Sequence, residues 1–324
     1  MFTLALLLCL PVIALAATSY SIQDTYIGHD FLDTWNWETA NDPTHGRTDY
    51  VDKKTAISSN LSVASDRSFL MRADSVNMVP PGQRGRKSVR ISSPGAYGDS
   101  VLVLDLWHMP TGCATWPAFW TLSKNGPWPH GGETDVIEGV NNNIDNLASL
   151  HTTGNCTMPQ TREQHGHTVS TQCDTRFNYN QGCGVSFTKP NSYGQPFNAN
   201  GGGWYAMSRG ERGIFIWFWS RYDSSVPLEV SQGLSTVNPD PDLWGKPDAA
   251  FPTDSCDYQS HFDAHNIVFD LTFCGDWAGS AYGSSGCPGN CIDFVDNNPR
   301  AFDEAYWEIS SLRIYTPNDN TSLL

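Results

Sequence analysis

The sequence predicts an all-β fold of a single domain, a sandwich or barrel, on three observations. Its apolar residues fall in short runs rich in β-branched and aromatic side chains, and turn formers bound each run. An apolar period of 3.6 residues is not sustained through any long stretch. Gly and Pro are scattered along all 324 residues, with no Ser/Thr/Pro-rich tract, repeat or charge block to mark a linker. One domain over 18–316 is therefore expected, followed by a short tail at 317–324.

Taken in chain order, the first segment is MFTLALLLCLPVIALAA, residues 1–17, uncharged and ending in small residues around Ala14 to Ala17. It reads as a signal peptide, because its apolar run is shorter than the roughly 20 residues that cross a bilayer. Cleavage and export are expected, with no membrane contact afterwards. The strand-like runs follow: Val101 to Trp107, Ile214 to Trp219, Asn266 to Phe273 and Trp307 to Tyr315. Trp217 and Trp219 are two apart, so they share a face of their strand and are assigned to the core. The stretches Ala148 to Gly203 and Ser220 to Ala264 read as long loops.

Of nine cysteines, Cys9 leaves with the signal, and Cys113, Cys156, Cys173, Cys183, Cys256, Cys274, Cys287 and Cys291 remain. An even number in an exported chain predicts disulfides, with the pairing open among 105 possibilities. Cys287 and Cys291 have no partner pair at metal-ligand spacing, so no metal site is expected. Asn60, Asn155 and Asn320 open glycosylation sequons, usable only if the chain is exported. A formal net charge of −15 disfavours nucleic acid and anionic membranes as partners.

The chemistry concentrates in WPHGGETDVIEGVN, residues 128–141, where Glu133, Asp135 and Glu138 alternate with β-branched Thr134, Val136 and Ile137. In a regular strand Glu133 and Asp135 share a face and Glu138 points the other way. A bulge at Val136 or Ile137 restores Glu138 to the first face, and without it a carboxylate would be buried unpaired. Two carboxylates a strand step or two apart stand at about 5 to 5.5 Å, the spacing at which one attacks a sugar carbon and the other serves as acid and base. Crowding pushes their pKa values apart, which suits those two roles. A solvated acidic edge strand and a calcium loop are the bland alternatives, but neither calls for the indoles nearby. Trp116, Trp120 and Trp128 precede the acids and Trp277 lies in FCGDWAG, and indole faces suit the flat C–H faces of sugars. Arg90 and His151 stand beside apolar strand segments as possible donors.

GGETDVIEG resembles the bulged E-x-D-x-x-E signature of glycoside hydrolase family 16, in the form found in laminarinases. Further segments are similar in order along the chain, among them DPTHGRTDYVD, GCATWPAFW, LHTTGNC, SYGQPFNANGGGWYAM, SHFDAHNIVFDLTFCGDWAG and AYWEISSLRIY, from Thr18 to about Thr316. The resemblance implies a β-jelly-roll sandwich of two antiparallel sheets with a concave substrate cleft. It implies retaining endo-hydrolysis of β-1,3-glucan and of mixed β-1,3/1,4-glucan. By the same resemblance Glu133 is the nucleophile, Glu138 the acid/base and Asp135 the assisting acid, while Arg90, Trp116, Trp120, Trp128, His151 and Trp277 line the cleft. Thr134 departs from the aliphatic residue usual at its place. No cofactor is required by such chemistry, a structural calcium is not indicated, and a monomer acting on a long polysaccharide is the default. A cell-wall transglycosylase using the same intermediate, or a lectin keeping the groove without the chemistry, are the alternatives. G-x-S-x-G and H-E-x-x-H are both absent, against serine and zinc hydrolases.

Overall fold

Alternation along the strands decides the architecture. In Ser100–His108, Leu102, Leu104 and Leu106 enter the main core while Val101 and Val103 enter a second apolar cluster, so this strand is buried on both faces. The computed structural model describes residues 18–233 and 238–318 and arranges them as two large antiparallel sheets. Residues 1–17, expected to be a signal, and Asn320 of the third sequon lie outside the described residues.

The site-bearing sheet runs His167–Thr168, Cys183–Ser186, Leu147–His151, Glu133–Glu138, Thr115–Ser123, His265–Phe273, Arg90–Tyr97 and Asn36–Trp37. The second sheet runs Ala249–Pro252, Gly213–Ser220, Gly203–Gly210, Ser100–His108, Tyr306–Pro317, Phe69–Arg72 and Ser62–Ala64, with Tyr20–Tyr26 also paired to Tyr306–Pro317. Neighbours distant in sequence, such as His265–Phe273 between Arg90–Tyr97 and Thr115–Ser123, give the crossed connections of a jelly-roll sandwich. Phe119, Val136, Ile137, Leu150 and Phe269 from one sheet meet Leu104, Tyr205, Phe218 and Leu312 from the other in one core. Phe119 and Phe269 stack at 4.6 Å. Burying such a ring contributes about 1.5–3 kcal/mol.

Two readings of the sequence need correction. The stretch from Ala148 to Gly203 is not a plain loop: it carries His167–Thr168, Cys183–Ser186, most of Leu147–His151 and the helix Gly194–Ala199. The stretch from Ser220 to Ala264 likewise holds Ala249–Pro252. Strands such as LASLH and CGVS have little apolar alternation, and they form because a neighbouring strand offers its free edge. Trp217 and Trp219 do share a buried face, but in a cluster with Trp204, Val230 and Trp244 rather than between the sheets. Ile214, Ile216 and Phe218 take the inter-sheet positions of that strand. The last strand also runs one residue past the expected domain end, to Pro317.

The eight cysteines form four disulfides: Cys113–Cys287, Cys156–Cys256, Cys173–Cys183 and Cys274–Cys291. Cys287 and Cys291 go to different partners. Cys156–Cys256 joins the two long stretches to each other. Asn60 and Asn155 are both exposed, with φ of 53° and 71°.

Candidate active site

The Glu133–Glu138 strand bulges. Asp135 pairs with Trp120 and Ile137 with Phe119, so Val136 is the extra residue. Val136 and Ile137 both turn into the core, and Glu133, Asp135 and Glu138 stand on the open face of the sheet. Thr134, also turned inward, is fully buried, and its hydroxyl finds no partner among the described residues.

Asn146 holds the bulge in shape. Its Oδ1 accepts from the Glu138 backbone N–H at 3.1 Å and its Nδ2 donates to the Val136 carbonyl at 2.8 Å. These are backbone groups that the interrupted ladder leaves without strand partners. Gly132 sets the entry to the strand: its φ is +82°, and a Cβ there would stand 2.6 Å from the His261 carbonyl oxygen. His265 Nε2 donates to the neighbouring Gly131 carbonyl at 2.7 Å, and its Nδ1 accepts from the Thr121 hydroxyl at 2.9 Å. Burial holds the His265 pKa well below its ordinary value, so the neutral ring keeps that donor in place.

Each glutamate has an indole donor. Trp128 Nε1 donates to Glu133 at 2.7 Å, and Trp116 Nε1 donates to Glu138 at 2.8 Å. Trp277 meets Trp116 edge-on at 5.7 Å, from a turn fastened by Cys274–Cys291. Burial and then the charge of Asp135 raise both glutamates, Glu133 to about 7 and Glu138 well above its usual range.

His151 lies beside Glu133 in the strand register, with Nε2 at 3.3 Å from Asp135 and Nδ1 at 2.9 Å from the Asn180 side-chain oxygen. Burial is the largest single influence and pulls its pKa down, but Asp135, Glu133 and Glu138 together lift it to about 10. The ring is therefore an imidazolium that offsets part of the acidic charge. Glu133, Asp135 and His151 bring a potential ligand atom each within 4.8 Å of one another.

Arg90 reaches neither glutamate by a hydrogen bond. Its Nε donates to Glu38 at 2.7 Å and its Nη1 to Asp270 at 3.2 Å, while the guanidinium lies over Trp120 at 4.9 Å. The arginine thus braces the Trp120 ring. Glu38, Asp270, Asn146, Asn180 and His265 escaped the sequence reading. Only Asp270 carried a signal, as a lone acid in the apolar run NIVFDLTF. A hollow of about 480 Å³ lined by Asn155, Glu211, Asp257 and Tyr258 contains none of Glu133, Asp135 and Glu138, which stand on the open sheet face instead.

An antiparallel jelly roll that presents bulged acids between indoles is the architecture of a glycosidase domain, and this chain belongs to glycoside hydrolase family 16. The family model described as "XgeA-like, catalytic GH16 domain" matches residues 35–315. The chain is similar to laminarinase 16A of Phanerochaete chrysosporium, solved with 6-O-glucosyl-laminaritriose in donor and acceptor sites. That likeness has 48% identity and a TM-score of 0.90, covering 92% of this chain and 100% of the other. It is also similar to an elongating family 16 β-1,3-glucosyltransferase, at 40% identity and a TM-score of 0.84, covering 92% of this chain and 100% of that one. A probable endo-1,3(4)-β-glucanase of Aspergillus clavatus is 40% identical over 92% of this chain, which spans 46% of that protein's length. Among the described residues no helix is long and apolar enough to cross a membrane.

Proposed function

We propose that the protein is an exported, retaining endo-glucanase that cleaves β-1,3-glucan of the laminarin type, and mixed β-1,3/1,4-glucan as an extension. The observation that carries this reading is the bulge at Val136, which sets Glu133 and Glu138 on one face, each beside its own indole donor. Glu133, ionised, attacks the anomeric carbon while Glu138, protonated, gives its proton to the departing glycosidic oxygen. Glu138, now a base, takes a proton from water, whose oxygen displaces Glu133 and releases the sugar with its configuration retained. Asp135 and the His151 imidazolium hold the charge between the two glutamates. Trp116, Trp120, Trp128 and Trp277 offer ring faces or indole N–H groups to the sugar chain. No cofactor enters this chemistry, and a monomer is sufficient for it. The eight paired cysteines support export through an oxidising compartment.

A second reading keeps the same first half-reaction and passes the glycosyl group to a sugar acceptor instead of water. The likeness to the elongating glucosyltransferase favours it. The test uses an aryl laminaribioside, whose leaving group needs little protonation, with azide as an added nucleophile. Glu138→Ala should return the β-glycosyl azide and Glu133→Ala the α-glycosyl azide. The opposite assignment of anomers would exchange the two roles, and no azide product from either variant, with wild type inactive, would remove the glycosidase reading. Mass analysis of wild-type products from laminarin separates hydrolysis, which only shortens chains, from transfer, which also lengthens them.

A further inference from the structure

The segment between Cys173 and Cys183 contains a conformation that its sequence should resist. Asn178, Tyr179 and Asn180 are three successive non-glycine residues with positive φ, at 50°, 55° and 62°. Left-handed backbone is ordinarily visited by single residues, and asparagine tolerates it where tyrosine does not. The Asn180 N–H donates to the Phe177 carbonyl and the Gln181 N–H to the Asn178 carbonyl, and the disulfide closes the segment at its base. The result is a tyrosine at 106% relative exposure, with Phe177 also exposed at 51%.

The turn that carries this ring is tied to the acids. Asn180, the next residue, holds His151, which faces Glu133 in the strand register. In the site-bearing sheet the His151 strand lies on one side of the acids, and the strands of Trp120 and Arg90 lie on the other. A polysaccharide laid across these strands leaves the acids toward the Asn178–Asn180 turn. Backbone strain that persists beside a site is ordinarily retained for what it presents.

We propose that Tyr179 is a stacking platform for a glucosyl unit of the same chain, beyond the bond that is cut on the His151 side of the site. An aromatic ring with a hydroxyl edge suits a pyranose, which offers a flat C–H face and polar rim. The inference rests on the glucan reading above and adds a subsite to it. It gives the protein a reason to favour longer chains.

The experiment compares Tyr179→Gly and Tyr179→Phe with wild type. Glycine removes both ring and strain, so the ratio of kcat/KM for laminarihexaose to that for laminaritriose should fall about fivefold, while the thermal midpoint rises by about 2 °C. Phenylalanine should keep most of the ratio. An unchanged ratio in Tyr179→Gly, or a lowered midpoint, would overturn the proposal, since a merely structural tyrosine loses stability on removal. Calorimetric binding of laminarihexaose to Glu133→Ser, with and without Tyr179→Gly, should show the same fivefold loss and reads the platform without chemistry. Wild type inactive on both sugars would sink the enzymatic reading and leave that binding test standing; no binding by Glu133→Ser would sink the platform.

Discussion

At the scale of single residues, the site works by giving each carboxylate its own environment. Trp128 donates to the Glu133 carboxylate, and a hydrogen bond to the charged form lowers a carboxyl pKa. Burial and Asp135 act in the other direction and prevail, leaving Glu133 near 7. Trp128→Phe removes the lowering contribution, so the pKa of Glu133 must rise further. The acidic limb of the kcat/KM profile, which in the proposed mechanism requires ionised Glu133, should then move upward by about one pH unit. Because Trp128 is itself exposed, KM for laminarin should rise as well. A profile that does not move would mean that the indole serves the sugar alone. His151 illustrates the same logic with opposite charge: its raised pKa keeps it cationic between Asp135 and Asn180, where a neutral ring would satisfy only one of them as a donor.

At the scale of the element, one inserted residue does what no single side chain does. Without the bulge the strand period would send Glu138 into the core, where Ile137 now lies. Asn146 completes the device by pairing the Val136 carbonyl and the Glu138 N–H. Asn146→Ala leaves both groups buried without partners, and should destabilise the fold by about 2–4 kcal/mol in urea unfolding. In the protein that remains folded, kcat should fall at least tenfold, because Glu138 loses its backbone anchor, while KM changes little. Full activity in Asn146→Ala would show that the bulge holds its shape through its strand neighbours alone. The bulge was legible from the positions of Glu133, Asp135 and Glu138, since an unpaired buried acid is the costlier arrangement. Its clamp was not, because Asn146 lies in a turn whose sequence, NNNIDN, gives no reason to prefer one asparagine over another.

At the scale of the whole molecule, the two sheets supply the core and the disulfides fix what the core does not reach. Cys156–Cys256 spans 100 residues and connects the stretch carrying His151 with the stretch leading to His265–Phe273. The chain-entropy argument assigns a link of that length about 4–5 kcal/mol through restriction of the unfolded chain. Replacing both cysteines by serine should lower the thermal midpoint by about 10 °C. The Glu133–Glu138 strand and its indole donors lie outside this link, so kcat measured well below the new midpoint should stay within a few-fold of wild type. A large loss of kcat at full folding would place the disulfide in the service of the site rather than of stability. The second sheet adds its own reserve: Trp204, Trp217 and Trp244 close its outer face, so the strand IFIWFW is apolar on both sides.

Several features of this protein were fixed by residues close together in the chain. The β class followed from short apolar runs, since a strand's side chains repeat every two residues. The bulged acidic segment followed from acids whose spacing admits one economical arrangement, and disulfide use followed from an even set of cysteines in a chain expected to be exported. The tertiary structure alone decided the rest. Asp270 and Glu38 meet Arg90 from distant parts of the chain, and they hold its guanidinium over Trp120. The four cysteine pairings and the contact of Trp277 with Trp116 likewise join segments that are neighbours in space and not in sequence. The physical reason is that local pattern tells a residue which way to face, whereas partners and pKa values are set by what faces it from elsewhere.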